Sequence, residues 1–181
     1  MKDLSLHILD IVQNSISAGA SLIEVKISEN PVKDTYELVI SDNGKGMTSD
    51  TLQKAIDPFF TSRTTRNVGL GLPLLKQNAV RAGGSFDLNS KPGKGTIVNA
   101  IFSFKHIDRL PLGDIGGVIA LLASANPLLD FTYTHKTATD SYSFDTREVK
   151  MELDGISISN ASVTQFIKEM INENTKSIMA S

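Results

Sequence analysis

Cysteine is absent from this chain of 181 residues. That excludes disulfides, thiolate metal sites and a cysteine nucleophile, and it makes a reducing compartment the default expectation. An excess of one charge is missing too: 18 Lys and Arg face 20 Asp and Glu, a net charge of -2. No global basic field is available to attract nucleic acid or an anionic membrane, so any polyanion must be held by a local arrangement. Long apolar runs are also lacking. The longest, Ile115 to Leu129, is broken by Ser124, Asn126 and Pro127 and is too short to span a bilayer. Asp3, His7 and Asp10 interrupt any signal-peptide core at the N-terminus. No internal repeat and no low-complexity tract is present. What remains is ordinary for a protein with a core: 40% apolar residues, 21% charged and a mean hydropathy of -0.05. At about 150 residues per domain, the length predicts one domain plus an addition. We expect a cytoplasmic protein with neither nucleic acid nor membrane as a partner.

Periodicity then places the elements. Leu4, His7, Ile8, Ile11, Val12 and Ser15 recur at helical spacing, and Gly19 ends that helix. Ile23, Val25 and Ile27 alternate with polar residues as a half-buried strand does, and a second strand runs from Tyr36 to Ser41 beyond a turn near Pro31. A glycine-rich loop, Asp42-Asn43-Gly44-Lys45-Gly46, follows, then a short helix over 48–56 and a polar loop over 57–68. A further helix opens at Gly69-Leu70-Gly71-Leu72, with Pro73 in its first turn, and closes at Gly83-Gly84. Phe86 to Ser90 and Thr96 to Phe104 read as a strand pair. Composition shifts at His106 to Pro111, suggesting a division into 1–104 and 105–181. The second part reads as a helix from Asp114 to Ala125, strands Asp130 to Lys136 and Tyr142 to Leu153, and a helix from Ser162 to Ile178, an α-β-β-α extension.

Polar residues with chemical capacity fall at the joints of this pattern. Asp10 and Asn14 are four apart on the first helix and point from one face. An Asn oxygen is a hard, neutral ligand suited to Mg2+, and a carboxylate one turn earlier can orient or deprotonate a water; the same spacing also suits a solvated polar face. Asp42 ends a strand where glycines begin. A carboxylate there accepts from the amino group of adenine and repels the acceptor oxygen of guanine, although Asp-Asn-Gly is also a common turn. Gly44 and Gly46 permit a close backbone approach. Gly69 and Gly71 stand at a helix start, where free N–H groups and the positive end of the dipole favour phosphate. Thr61, Ser62, Arg63 and Arg66 lie in the loop before it and are suited to closing over a triphosphate.

The series Asp10-x-x-x-Asn14, Asp42-x-Gly44-x-Gly46, Asp57-Pro58-Phe59-Phe60-Thr61, Gly69-x-Gly71 and Gly95-Thr96 resembles the N box, first glycine box, phenylalanine box, second glycine box and last Gly-Thr motif of the gyrase, heat-shock chaperone, histidine kinase and MutL ATPase superfamily. The resemblance covers residues 1 to 104. It implies the Bergerat fold, an α/β sandwich of helices over a mixed sheet, with a flexible lid over about 47–68. It also implies ATP and Mg2+ as cofactors: Asn14 holds the metal, Asp42 the adenine amino group, Gly69 and Gly71 the phosphates, and Thr96 a water or the adenine edge. Gly44, Gly46, Met47, Leu70 and Leu72 join Thr61, Ser62 and Arg63 as further nucleotide contacts, and Asp10 is the catalytic candidate. Asn14-Ser15-x-x-Ala18-Gly19-Ala20 looks like the MutL branch. The phenylalanine box with Ser62, Val68-Gly69-Leu70-Gly71-Leu72, Lys76 and Ala82-Gly83-Gly84 look like the sensor histidine kinases. The whole chain resembles small histidine-kinase-like ATP-binding proteins of anaerobic bacteria, including those linked to iron hydrogenase gene clusters.

Departures from the family pattern shape the functional expectation. Ser17 stands where histidine kinases often carry Lys or Arg, leaving Arg63 or Arg66 to supply a phosphate cation, and Asp10 replaces the Glu of the ATPases. The nucleotide unit begins at residue 4, so the resemblance leaves no room in this chain for the hairpin that carries the phosphoacceptor histidine, and none of His7, His106 and His135 begins a His-Glu or His-Asp pair. The expected function is an ATP- and Mg2+-binding kinase or regulator acting in trans on a protein partner. Alternatives are a nucleotide-gated binding module with little phosphotransfer, and a MutL- or chaperone-like ATPase that switches by dimerisation, for which a homodimer is the relevant state.

Overall fold

Helical spacing and strand alternation both recur in the computed structural model, which describes residues 2–57 and 70–180. Helix α1, Leu4–Ser17, starts where Asp3 Oδ1 accepts from the Leu6 amide at 3.1 Å and stops before Gly19, whose φ of 75° continues no helix. Strands β1, Leu22–Asn30, and β2, Thr35–Asp42, pair antiparallel. Helix α2 is Ser49–Ala55 and α3 is Gly71–Arg81. Strands β3, Ser85–Lys91, and β4, Gly95–Ser103, form a hairpin whose β4 pairs with β2. Helix α4, Ile115–Ala125, then leads to β5, Asp130–Lys136, which lies parallel to β1, and to β6, Ser141–Asp145. Helices α5, Thr146–Glu152, and α6, Ala161–Met179, complete the described chain.

The six strands make one mixed sheet in the order β3-β4-β2-β1-β5-β6. Alternate residues of four neighbouring strands, such as Ile23, Val25, Leu38, Ile40, Val98, Phe102, Phe131 and Tyr133, are buried in one core with the apolar stripes of α1, α3, α4 and α6. The other sheet face is polar, with the Asn99 amide on Glu37 and the Ser41 hydroxyl on Glu24. This is the expected α/β sandwich of helices over a mixed sheet. Segment 105–180 shares that sheet, because β5 is paired along β1 from Leu22 to Ser28. Helices α4 and α6 are tied by Asp114, which caps α4 through the Gly117 amide and also accepts from Asn172 and Lys168. Those hydrogen bonds, Asn172's foremost, hold the Asp114 carboxyl below the usual range.

One expected element differs. The strand predicted from Tyr142 to Leu153 stops at Asp145, and α5 takes its place. Val149, Met151 and Leu153 alternate like strand residues, yet Val149 and Leu153 pack on the core while Met151 is 75% exposed, which is helical spacing. Asp145 sets the break, since its carboxylate accepts from the Arg147 amide at 2.8 Å as an N-cap. Thr146 is buried there and its hydroxyl receives the Phe131 amide at 2.9 Å.

Candidate functional site

The end of β2, the start of β4 and one face of α1 enclose a cavity of about 400 Å³, a volume suited to a small-molecule ligand. Asp42 ends β2 directly opposite Thr96 of β4. Its Oδ2 accepts from the Ser15 hydroxyl of α1 at 2.6 Å, and its Oδ1 accepts from the Gly44 amide at 2.9 Å. A carboxylate offers about four acceptor positions, so those two bonds fix the group and leave it able to accept from a ligand donor. Ile11, Ile40, Val98, Met47 and Leu72 line the same cavity, giving a flat aromatic base apolar faces to contact.

The loops around Asp42 approach each other at backbone distance, and glycine makes that possible. A Cβ on Gly95 would lie 1.9 Å from the Asp42 carbonyl oxygen, and one on Gly46 would lie 2.0 Å from the Lys91 carbonyl oxygen. Both glycines have positive φ, 84° and 67°. Asn43 anchors the turn to β1 by accepting from the Ser21 and Leu22 amides. Ser90 anchors the other side. Its hydroxyl accepts from the Met47 amide at 2.8 Å, donates to the Gly95 carbonyl at 2.9 Å and lies 3.0 Å from Thr96 Oγ1. A hydroxyl has one hydrogen, so with the Ser90 proton on Gly95 it is Thr96 that donates to Ser90. The lone pairs of Thr96 Oγ1 then stay available as acceptors at the cavity wall.

Asn14, Asp42, Gly46, Met47, Leu72 and Thr96 all line the cavity. Gly44 is buried beneath Asp42, where a Cβ would sit 3.0 Å from the Ala18 carbonyl oxygen. Gly71 begins α3 against α1: its Cβ would lie 3.0 Å from Asp10 Cβ. Asp10 itself is exposed, and neither it nor Leu70, 54% exposed, is among the described residues lining the cavity. Thr61, Ser62, Arg63, Arg66 and Gly69, with most of the phenylalanine box, lie outside the described residues. His7 is buried between α1 and α3, with its Nε2 3.0 Å from Asn78 Nδ2. Burial, above all, pushes its pKa below the ordinary histidine value.

The structure adds residues that sequence reasoning did not assign to the site. Ser15 positions Asp42, Ser90 joins Met47 to Thr96, and Lys45 lines the cavity. Ser15 and Ser90 reach partners 27 and 43 residues away, so no local spacing marks them; Lys45 lay inside the glycine-rich loop and was legible there.

As for Mg2+, no group of three or more His, Asp or Glu among the described residues is placed to hold an ion by itself. The donor set nevertheless fits an ion shared with a nucleotide. Asn14 offers one hard oxygen at the cavity, and Mg2+ ordinarily takes one or two protein ligands, with phosphate oxygens and waters completing its shell.

Comparison with known proteins places the chain in a family. The model of the family described as histidine kinase-, DNA gyrase B- and HSP90-like ATPase matches residues 2–106. The chain is 38% identical over 94 residues to the sensor protein kinase FleS of Pseudomonas aeruginosa, covering 52% of this chain and 23% of that protein. It is 32% identical over 94 residues to the sensor-like histidine kinase SenX3 of Mycolicibacterium smegmatis, covering 49% and 24%. A match to the non-motile and phage-resistance protein of Caulobacter vibrioides, 28% identical over 111 residues, covers 56% of this chain and 13% of that protein. The chain thus spans a quarter or less of the length of these relatives. Among solved structures, the N-terminal domain of a DNA repair protein superposes with a TM-score of 0.55 at 18% identity, over 79% of this chain and 52% of that one, a likeness of fold. This chain belongs to the histidine kinase-, DNA gyrase B- and HSP90-like ATPase family and carries its ATP-binding, kinase-like module.

Proposed function

We propose that this member of the family binds ATP with Mg2+ in the cavity below Asp42 and acts in trans, as a protein kinase or ATP-dependent regulator of a second protein. One observation carries the reading: a carboxylate clamped by Ser15 and Gly44 shares its cavity with Asn14 and Thr96. Asp42 accepts a hydrogen bond from the adenine amino group and disfavours guanine. Thr96 Oγ1 accepts from a bridging water at the base edge. Helix α3 has no side-chain cap at Leu70 and Pro73 has no N–H, so among the described residues the Gly71 and Leu72 amides are first-turn donors that can meet phosphate oxygens. Asn14 would ligate Mg2+, which when bound offsets phosphate charge and polarises the terminal phosphoryl group.

Transfer in trans is supported by the histidines. His7 and His135 are fully buried, and His106 Nδ1 accepts from the Asp108 amide in a turn. The acceptor in this reading lies outside these 181 residues. A second reading, nucleotide-gated binding with little transfer, draws on the position of Asp10, which is exposed and outside the cavity lining among the described residues. ATP labelled on its terminal phosphate, supplied to the chain with cell extract, separates the two. Label appearing in a protein with wild-type chain and not with Asn14→Ala supports the kinase. Label that stays in ATP while an ATP analogue alters partner binding supports gating.

A further inference from the structure

Beyond the nucleotide site, a second concavity lies where the sheet ends. Its floor is the helix-side face of β6, Tyr142 and Phe144, and its walls are α5 and α6. Its volume is about 550 Å³. Helix α6 carries two apolar stripes. Ile167, Ile171 and Ile178 are buried, and α4 approaches α6 so closely that a Cβ on Gly116 would lie 2.4 Å from the Lys168 carbonyl oxygen. Val163, Phe166 and Met170 form the other stripe at i, i+3 and i+7. They face the groove, and Phe166 is left 62% exposed. Strand β6 is the last of the sheet, so its outer edge pairs with no further strand among the described residues.

The rim states what kind of partner fits. Glu148 and Glu152, one turn apart on α5, line the groove and have no hydrogen-bond or ion-pair partner among the described residues. Neighbouring carboxylates are matched: Asp145 by Arg147 and Asp130 by Lys150. Two unmatched negative charges beside an apolar floor favour a partner with apolar and basic residues together. A second copy in two-fold contact would set this acidic rim against itself, which like-charge repulsion opposes. An added strand would gain little, because β6 offers only Ser141–Asp145 before turning into α5. A helix can lay an apolar stripe between the α5 and α6 walls and place Lys or Arg beside Glu148 and Glu152.

We infer that the groove between α5 and α6, floored by β6, is the docking site for a basic amphipathic helix of a second protein. This rests on the reading of the chain as a module that serves a partner, and it deepens that reading by giving the partner's chemistry and seat. Docking there leaves the nucleotide cavity free, so both can be occupied together.

The test is selection from a display library of amphipathic helices of roughly 18 residues, five turns, with a fixed apolar stripe and randomised flanking charge. The full chain is the bait, and the Phe166→Glu variant removes background. Enriched helices are expected to be Lys- and Arg-rich. A synthetic winner should bind wild type, with or without an ATP analogue, and lose about tenfold or more in affinity to Phe166→Glu and to the double variant Glu148→Lys/Glu152→Lys. These positions are exposed, so far-ultraviolet circular dichroism and thermal midpoint should match wild type; if Phe166→Glu misfolds, the charge-reversed variant serves as the background and carries the result. Three outcomes overturn the inference: no enrichment against the variant, winners without a basic bias, or a wild-type dimer in light scattering that Phe166→Glu abolishes. Because binding is scored without nucleotide as well, loss of the nucleotide reading would leave the groove result standing.

Discussion

On one side of β1 the sheet continues antiparallel through β2, β4 and β3; on the other it continues through parallel β5 and then β6. The two flanks spend their polar groups differently. At the antiparallel flank, β2 and β4 end in loops pressed together at glycines, and polar groups such as Asp42, Asn14 and Thr96 are turned toward a cavity. At the parallel flank the polar groups are turned inward on each other. His135 Nε2 meets Glu29 Oε1 at 2.7 Å, its Nδ1 meets the Tyr133 hydroxyl at 2.9 Å, and that hydroxyl reaches Thr175 of α6. Polar groups open to a cavity thus collect where backbone approaches backbone, whereas the second flank locks β1, β5 and α6 together and leaves an apolar groove at its edge.

That contrast breaks first at Gly95. Replacing it with Ala puts a Cβ 1.9 Å from the Asp42 carbonyl at a φ of 84°, which should cost roughly 4 kcal/mol or more and remove nucleotide binding as well. Gly93→Ala is the control: its φ is 73° but nothing lies within 4 Å, so about 1–2 kcal/mol of backbone strain is expected. Denaturant melts of the two variants measure the difference. Next comes His135→Ala. It strands the Glu29 carboxylate, whose side chain is only 9% exposed, at a cost of about 3 kcal/mol. Nucleotide affinity should be untouched, because His135 pairs with Ile27 far along β1 whereas Asp42 pairs with Ile23 near its start. A variant that lost both stability and affinity would show that the flanks are not separable.

The smallest effect concerns His7, which packs α1 on α3. Burial lowers its folded pKa, so as pH falls the unfolded chain takes up the proton first. Stability from this group is therefore full above the unfolded value of about 6.5 and declines as pH falls through it toward the depressed folded value. Thermal midpoints between pH 8 and roughly 5, above the carboxylate range, should show that decline in wild type and a flatter profile in His7→Gln.

The sequence was readable where its signals are local. Alternation in β1, β2 and β5, the stripe of α1 and the glycines of the 42–46 loop each depend on neighbours a few residues apart. Asp42, Asn14 and Thr96 could be named from their motifs and come together at one cavity. Ser15 and Ser90 could not be assigned, because their roles exist only once α1 meets β2 and the 47 loop meets β3. The end of β6 was misplaced for a related reason. Alternating Val149, Met151 and Leu153 mimic a strand, while the Asp145 cap and the long-range bond from Phe131 to Thr146 decide for a helix. The groove above β6 has no motif; it is the product of three elements and a pair of glutamates, Glu148 and Glu152, unmatched among the described residues.

Everything assigned to the first flank depends on Asp42 reading a nucleotide base. Isothermal titration with a non-hydrolysable ATP analogue and Mg2+, on wild type and Asp42→Ala in parallel, tests this most directly. The account predicts saturable binding to wild type and a loss of about tenfold to a hundredfold in the variant, the worth of a hydrogen bond to a charged group. No binding by wild type, or equal binding by the two, would contradict it.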